Sequence, residues 1–174
     1  LPMVAIKAGS SARGAGLALS HTASLAGTDR VADALLDRLG IPRGRSLDSL
    51  IETLKLLHVH GPLSGSRICS MSCSGGEAML MADAAESRDV SFPELSPDQH
   101  QQVRETLTDL VTVSNPLDYH TFNWNDEEKL YQTYRTMLSC GFDLSVLVLD
   151  FPRRDNCQWD TWHPAVSAIE RAAQ

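Results

Sequence analysis

The sequence predicts an α/β protein in which a parallel sheet is covered by helices on both faces. Short apolar segments of strand length alternate with longer segments whose apolar residues recur at helical spacing. Such alternation is typical of parallel sheets, because two parallel strands need a crossover connection, usually a helix. The Gly- and Pro-containing residues 60–65 interrupt the pattern and predict a linker between a unit at residues 1–60 and a unit at residues 61–174.

The first unit opens with the apolar residues 3–7, which predict a buried strand. Residues 8–27 are rich in Gly, Ser and Ala and predict a long loop. The remaining elements follow from apolar periodicity and caps: a helix at 29–39 after Thr28, a very short strand at 41–44 and a helix at 47–57 after Ser46.

The second unit repeats the strand and helix pattern from residue 68 onward. Ser96, Pro97 and Gln99 have the spacing of a capping box with Pro at the first helical position, and Asn125 and Glu128 repeat that spacing. The predicted elements are a strand at 68–72, a turn at 73–76, a helix at 77–87, a short strand near Val90, a helix at 97–110, a strand at 111–113, a helix after Asn125 to 140, a strand at 144–149 and a helix from Pro164.

Composition narrows the classes of function. The 174 residues are 43% hydrophobic and 21% charged, which suits a globular protein. A net charge of -7 repels the phosphate backbone, so nucleic acid is not an expected partner. No apolar run has the length of a membrane span and no signal peptide is visible, which predicts a cytoplasmic protein with no membrane partner. The four cysteines are therefore expected to be free thiols.

One candidate binding site is the turn between the predicted strand at 68–72 and the following helix. Small residues at Ser74, Gly75 and Gly76 allow a ligand close to the backbone, and a helix N-terminus offers free N–H groups to an anion. The alternative is a tight turn that only needs glycine. A strand-to-helix serine also suggests a hydrolase with Ser74 as nucleophile, although Ser72 stands where that motif has its first glycine.

A second candidate is His21, which lies among the small hydroxyl residues Ser20, Thr22 and Ser24. Imidazole is a good nucleophile near neutral pH, and hydroxyl groups around it are suited to hold a phosphate. The alternative is a solvent-facing loop histidine. No cluster with metal-ligand spacing occurs, so no metal site is predicted.

Residues 7–11 (KAGSS) and 20–29 (SHTASLAGTD) resemble the NDP-forming acyl-CoA synthetases, the family of ADP-forming acetyl-CoA synthetase and, more distantly, succinyl-CoA synthetase. The later motifs at 74–76 (SGG), 94–96 (ELS) and 114–118 (SNPLD) occur in the order that the family has. The resemblance covers nearly the whole chain. It implies flavodoxin-like, doubly wound parallel sheets, truncated at both ends: the end of a domain with the histidine loop in residues 1–60, and most of a second domain, lacking its last strand, in residues 61–174.

The resemblance also implies a function. In the family, ATP phosphorylates a histidine that matches His21, and the phosphoryl group passes to a carboxylic acid, giving an acyl phosphate from which the CoA thiol displaces phosphate. Two glycine-rich helix starts hold the phosphoryl group, and Ser74, Gly75 and Gly76 match one of them. Ser20, Thr22 and Ser24 are expected to assist in phosphate binding, and Asn115 and Asp118 to lie in a loop on the substrate side.

Two departures from the family qualify these expectations. Ala23 stands where the family usually has Gly, and the domains that bind CoA and ATP are not in this sequence. The chain alone is therefore expected to bind no cofactor and to be inactive, whereas the longer enzyme uses CoA, ATP and Mg²⁺ together with its CoA-binding and ATP-grasp domains. The alternative function is a non-catalytic regulatory or binding module, as in acetyltransferase fusions. The apolar residues 3–7 are further expected to pair with residues 144–149 as a fifth strand, within one chain or in a homodimer.

Overall fold

A computed structural model gives the fold, and it describes residues 2–22, 26–153, 155 and 160–174. Contacts between residues divide the chain into two compact units, Leu1–Pro62 and Leu63–Gln174. The α/β class with parallel strands is confirmed in both units. None of the helices in the described part of the chain is both long and apolar enough to cross a membrane.

The first unit contains two short strands and three helices. Its elements are β1 (Ala5–Ile6), α1 (Ala12–Thr22), α2 (Asp29–Arg38), β2 (Arg43–Gly44) and α3 (Leu47–His60). β1 and β2 form a two-stranded parallel sheet, with Ala5 opposite Arg43 and Ile6 opposite Gly44. As predicted, Ser46 caps α3: its hydroxyl accepts the N–H of Ser49 at 3.1 Å.

Two predictions for the first unit are wrong. Residues 8–27 do not form one long loop, because α1 occupies most of them. Ala and Leu residues in this segment favour a helix despite its two glycines, and the hydroxyl of Ser11 accepts the N–H of Gly14 at 3.1 Å at the start of the helix. The strand at residues 3–7 is reduced to two residues and is not buried, since Met3 and Ile6 are 59% and 43% exposed.

The second unit contains the core. Its elements are β3 (Ile68–Ser72), α4 (Gly75–Ala85), α5 (Pro97–Glu105), β4 (Leu117–Asp118), α6 (Glu127–Leu138), β5 (Leu144–Leu147), a 3₁₀ turn (Asp160–Trp162) and α7 (His163–Ala172). The sheet order is β4-β3-β5, with all strands parallel. All five residues of β3 are buried, whereas the four residues of the edge strand β5 are half-buried. The helices α6 and α7 pack against each other and bury Tyr134, Met137, Ala165 and Ala168.

The predicted strand at residues 111–113 is wrong, and the strand that pairs with β3 is β4 instead. Val111 and Val113 are buried, but the guanidinium of Arg104 donates a hydrogen bond to the carbonyl of Val111 at 2.5 Å. That carbonyl is therefore engaged by a side chain and not by a neighbouring strand. Apolar character here reflects burial of a connection between α5 and β4.

One further expectation is corrected. The N-cap of α6 is Asp126, whose carboxylate accepts the N–H of Lys129 at 3.1 Å, and not Asn125. β1 pairs with β2, and the expected pairing of residues 3–7 with residues 144–149 stays a prediction. The capping box of Ser96 and Gln99, with Pro97 in the first turn of α5, is confirmed.

Candidate functional site

The turn between β3 and α4 has the strand-turn-helix form that the sequence predicts. β3 ends at Ser72, and Ser74 is the N-cap of α4 with an extended backbone (φ -133°, ψ 124°). The hydroxyl of Ser72 donates a hydrogen bond to the carbonyl of Ser74 at 2.9 Å, which fixes the turn to the end of the buried strand. The same carbonyl accepts the N–H of Ala78 at 3.1 Å and so begins the helix.

The first amides of α4 are free to bind a ligand. The side chain of Ser74 makes no capping hydrogen bond. Among the described residues, the N–H groups of Gly75, Gly76 and Glu77 have no hydrogen-bond acceptor. These amides, together with the partial positive charge of the helix N-terminus, form a place where an anion gains donors and a favourable field.

Asp118 lies beside this turn. It ends β4, where it is paired in register with Ser72. Its Oδ2 lies 3.1 Å from the position that a Cβ atom on Gly75 would take, and its Oδ1 accepts the backbone N–H of His120 at 2.9 Å. The His120 Nε2 atom is 3.5 Å from Oδ2 of the same carboxylate. The structure therefore brings Asp118 to the glycine turn as the last residue of a strand and not of a loop, and its expected place on the substrate side stays a prediction.

Two more carboxylates lie near the turn. Burial, followed by the charges of Asp150 and Asp118, raises the pKa of the Glu77 carboxyl above its ordinary value. Burial also raises the pKa of the Cys73 thiol, with further contributions from Glu77, Asp150 and Asp118. A thiol with a raised pKa is a poor nucleophile at neutral pH, so Cys73 is not suited to covalent catalysis.

Glu77, Cys73 and Asp150 were not identified from the sequence. The carboxyl ends of parallel strands meet at one edge of a sheet, and Cys73 and Asp150 follow β3 and β5 by one and three residues. Glu77 lies two residues into α4. The rule for strand ends is therefore enough to find Cys73 and Asp150 once the strands have been placed, whereas Glu77 belongs to the first turn of the helix.

Asn115 is not brought to the turn. Its side-chain amide donates to the carbonyls of Ile68 at 3.0 Å and Pro93 at 3.1 Å. Ile68 begins β3, whereas Asp118 is beside the end of that strand. The contacts of Asn115 thus lie at the start of β3, at the opposite end of the strand from the glycine turn.

The predicted histidine segment is helical up to residue 22. Ser20, His21 and Thr22 form the end of α1, so this part of the expected histidine loop is wrong. The hydroxyl of Ser20 donates to the carbonyl of Leu17 at 3.0 Å within the helix. Ser24 lies outside the residues that the structure describes.

Two other features of the described residues do not form a site: the pair of histidines at the end of α3, and Ser74 as a nucleophile. His58 and His60 are exposed in the last turn of α3. No group of three metal-ligating side chains comes together in the described ranges. Within the same ranges, the hydroxyl of Ser74 makes no hydrogen bond to an imidazole, so the base that a serine nucleophile needs is not beside it.

Comparisons with known proteins identify relatives of both units. Residues 1–57 match the family described as succinyl-CoA ligase like flavodoxin domain. The chain is 30% identical over 117 residues to acetate–CoA ligase [ADP-forming] II subunit alpha of Pyrococcus furiosus, a match that covers 67% of this chain and 25% of that subunit. It is 29% identical over 133 residues to acetate–CoA ligase [ADP-forming] II of Archaeoglobus fulgidus, which covers 76% of this chain and 20% of that enzyme. The chain thus spans a quarter or less of the length of these relatives.

A solved structure shares the fold. It is the acetyl-coenzyme A synthetase 1 of Ca. Korarchaeum cryptofilum in complex with phosphate and ADP. The TM-score is 0.77 at 21% sequence identity, over 99% of this chain and 37% of the solved chain. The flavodoxin-like α/β fold predicted from the sequence is thereby confirmed.

Proposed function

Because this chain belongs to the NDP-forming acyl-CoA synthetase family, we propose that the protein containing it forms acyl-CoA from a carboxylic acid, CoA and ATP. The observation that carries the proposal is the start of α4, where three successive amides have no acceptor among the described residues. Such a helix start is suited to a phosphoryl group in transfer, since it binds the group without a covalent bond. Ser74, as the N-cap, together with Gly75 and Gly76 forms the turn, and the amides of Gly75, Gly76 and Glu77 supply the donors.

The proposed reaction has three steps. The imidazole of His21 attacks the γ-phosphorus of ATP, and ADP leaves with the electrons of the broken P–O bond. A carboxylate oxygen of the acid then takes the phosphoryl group from His21, giving an acyl phosphate. The CoA thiol finally attacks the acyl carbon, loses its proton, and inorganic phosphate leaves.

The residues around His21 have supporting roles in this proposal. Thr22 and Ser24 provide hydroxyl donors for the phosphoryl group, and Ser20 joins them by exchanging its hydrogen bond to the carbonyl of Leu17 for one to a phosphoryl oxygen. Asp118 lies beside the turn, with Oδ2 3.1 Å from the position that a Cβ atom on Gly75 would take, and limits the space there. Mg²⁺ neutralises the phosphates of ATP, which is bound, like CoA, by ATP-grasp and CoA-binding domains elsewhere in the protein. The reaction takes place in the cytoplasm.

The test is phosphorylation of the full-length protein by radiolabelled ATP and Mg²⁺. We expect label that is stable in base, lost in acid, and located on the peptide that contains His21, because phosphohistidine has this stability. His21→Ala should lose both the label and acyl-CoA formation. His60→Ala is the matched control, since His60 is exposed at the end of α3, and it should keep both. Acyl-CoA formation at the wild-type rate in His21→Ala would contradict the proposal.

A second candidate is a non-catalytic regulatory or binding module. The presence of Glu77, Asp118 and Asp150 near the start of α4 favours it, because three carboxylates oppose the approach of the phosphoryl group that the ligase reaction requires. Ala23, in place of the usual glycine, points the same way. Full-length protein that is neither labelled on His21 nor able to form acyl-CoA would support this candidate over the ligase.

A further inference from the structure

The start of α4 combines a place for a phosphoryl group with an excess of negative charge. Asp118 ends β4, Asp150 follows β5, and Glu77 lies in the first turn of the helix itself. A helix N-terminus contributes only about half a positive charge. A phosphoryl group bound there would therefore face three carboxylates with one partial positive charge to offset them.

Glu77 is the member of this set that is best placed to be neutral. Its Oε2 atom is buried and has no hydrogen-bond partner among the described residues. A buried ionised oxygen without a donor is unfavourable, whereas a protonated carboxyl group is itself a donor. Asp118, by contrast, accepts the N–H of His120 and so has a partner for its ionised form.

The surroundings of Glu77 contain acidic groups from each neighbouring strand. Burial first, and then the charges of Asp150 and Asp118, raise the pKa of its carboxyl. Burial first, then the charge and hydrogen bond of Tyr134 and the charges of Cys73 and Glu77, raise the pKa of the buried Tyr119 phenol. No cation lies among the groups that shift the pKa of Glu77.

We infer that Glu77 takes up a proton when a phosphoryl group binds at the start of α4, and that its protonated carboxyl then donates a hydrogen bond to a phosphoryl oxygen. The inference rests on the proposed function for the location of the phosphoryl group. Glu77 is then a positioning residue of the phosphoryl site, and one proton is bound and released together with the ligand. Since the proton stays on the carboxyl oxygen and only forms a hydrogen bond, no covalent bond of the phosphoryl group changes.

Anion affinity at the start of α4 should then depend on pH. The protonated form of Glu77 binds the anion, so binding is strongest at low pH and weakens as pH rises through the pKa of Glu77. Uptake of one proton gives a change in affinity of about tenfold per pH unit above that pKa. His120 is the other ionisable side chain near the turn, with its Nε2 atom 3.5 Å from Oδ2 of Asp118.

The experiment is a calorimetric titration of the full-length protein with sulfate between about pH 5.5 and pH 8. Sulfate keeps the same charge over this range, so any pH dependence belongs to the protein. We expect sulfate affinity to fall with rising pH in the wild type, and Glu77→Gln to bind at high pH as tightly as the wild type does at low pH. Glu86→Gln is the matched control, because Glu86 lies at the other end of α4. It should keep the wild-type profile.

Two further variants separate the possible causes. Asp150→Asn should shift the wild-type profile to lower pH, because one of the charges that favour protonation of Glu77 is removed. His120→Gln should leave the profile in place. A profile that is flat in the wild type, absence of sulfate binding at every pH, or a profile abolished by His120→Gln and kept by Glu77→Gln would overturn the inference. Loss of phosphohistidine with the Glu77-dependent profile retained would overturn the proposed ligase function alone.

Discussion

The Oδ2 atom of Asp118 lies 3.1 Å from the position that a Cβ atom on Gly75 would take. Contacts of 3.0–3.4 Å are tighter than almost all real contacts of a Cβ atom, so a side chain at residue 75 would displace the carboxylate. A Cβ atom on Gly76 would have Oγ of Ser74 as its nearest neighbour, at 3.5 Å, which is an ordinary van der Waals distance. Two adjacent glycines in one turn therefore differ in their tolerance of a side chain.

We predict that Gly75→Ala weakens binding of phosphate or sulfate more than Gly76→Ala does. The added methyl group moves Asp118 and with it the hydrogen bond to the N–H of His120. The expected loss is about tenfold in affinity, the size of a misplaced or broken hydrogen bond to a charged group. Titration calorimetry of both variants measures it, and thermal unfolding serves to check that both are folded. Equal affinities would show that the contact with Asp118 has no role in binding.

The stability of the first unit should depend on pH through Arg43. Its side chain is 8% exposed and donates to the carboxylates of Asp29, at 2.7 Å, and Asp33. Hydrogen bonds from Arg43 are the largest cause of the lowered pKa of both carboxyls. Because the pKa values are lower in the folded state, this contribution to stability is present above the ordinary carboxyl pKa of 3.8 and is lost as pH falls below it.

Urea unfolding at a series of acidic pH values tests this expectation. Arg43→Met should have a lower free energy of unfolding than the wild type at neutral pH. It should also lose less of that free energy when the pH is lowered. Arg45→Met is the matched control, because Arg45 contacts the same two carboxylates with a side chain that is 65% exposed. It should change both quantities much less, since exposed ion pairs contribute little. Similar effects of the two substitutions would contradict the special role of the buried guanidinium.

The N-terminus of α6 offers a direct comparison of two neighbouring residues. The carboxylate of Asp126 accepts the N–H of Lys129 at 3.1 Å, so Asp126→Ala should destabilise the protein by about 1 kcal/mol. Asn125→Ala should change the free energy of unfolding by much less, because Asn125 precedes the cap. Chemical denaturation of both variants measures the difference. A larger effect at Asn125 would mean that the helix begins one residue earlier.

Local signals in the sequence predicted the structure best. The cap Ser96 follows from a capping box with Gln99, three positions later, and the cap Ser46 from its place before the apolar stripe of the helix. Asn125 was preferred to Asp126 because Glu128 stands three positions after Asn125, whereas Lys129 stands three positions after Asp126. The helix α1 was missed because its glycines suggested a loop, although its Ala and Leu residues favour a helix.

Signals that depend on distant residues were harder to use. The strand expected at residues 111–113 does not form, since the side chain of Arg104 engages the carbonyl of Val111. Asn115 and Asp118 are three residues apart in one predicted motif, yet they lie at opposite ends of β3. The glycine turn itself was predictable from its position after an apolar strand, whereas the carboxylates around it required the strand order.

The central position of β3 has a consequence for the rigidity of the glycine turn. β3 is hydrogen-bonded to β4 on one side and to β5 on the other, and all five of its residues are buried. Its amides should therefore exchange with deuterium only when the second unit opens as a whole. The turn is fixed directly to this strand by Ser72, so its backbone is already ordered before a ligand arrives. Little conformational entropy should be lost on binding, and anion affinity at this turn should reflect electrostatics more than ordering of the loop.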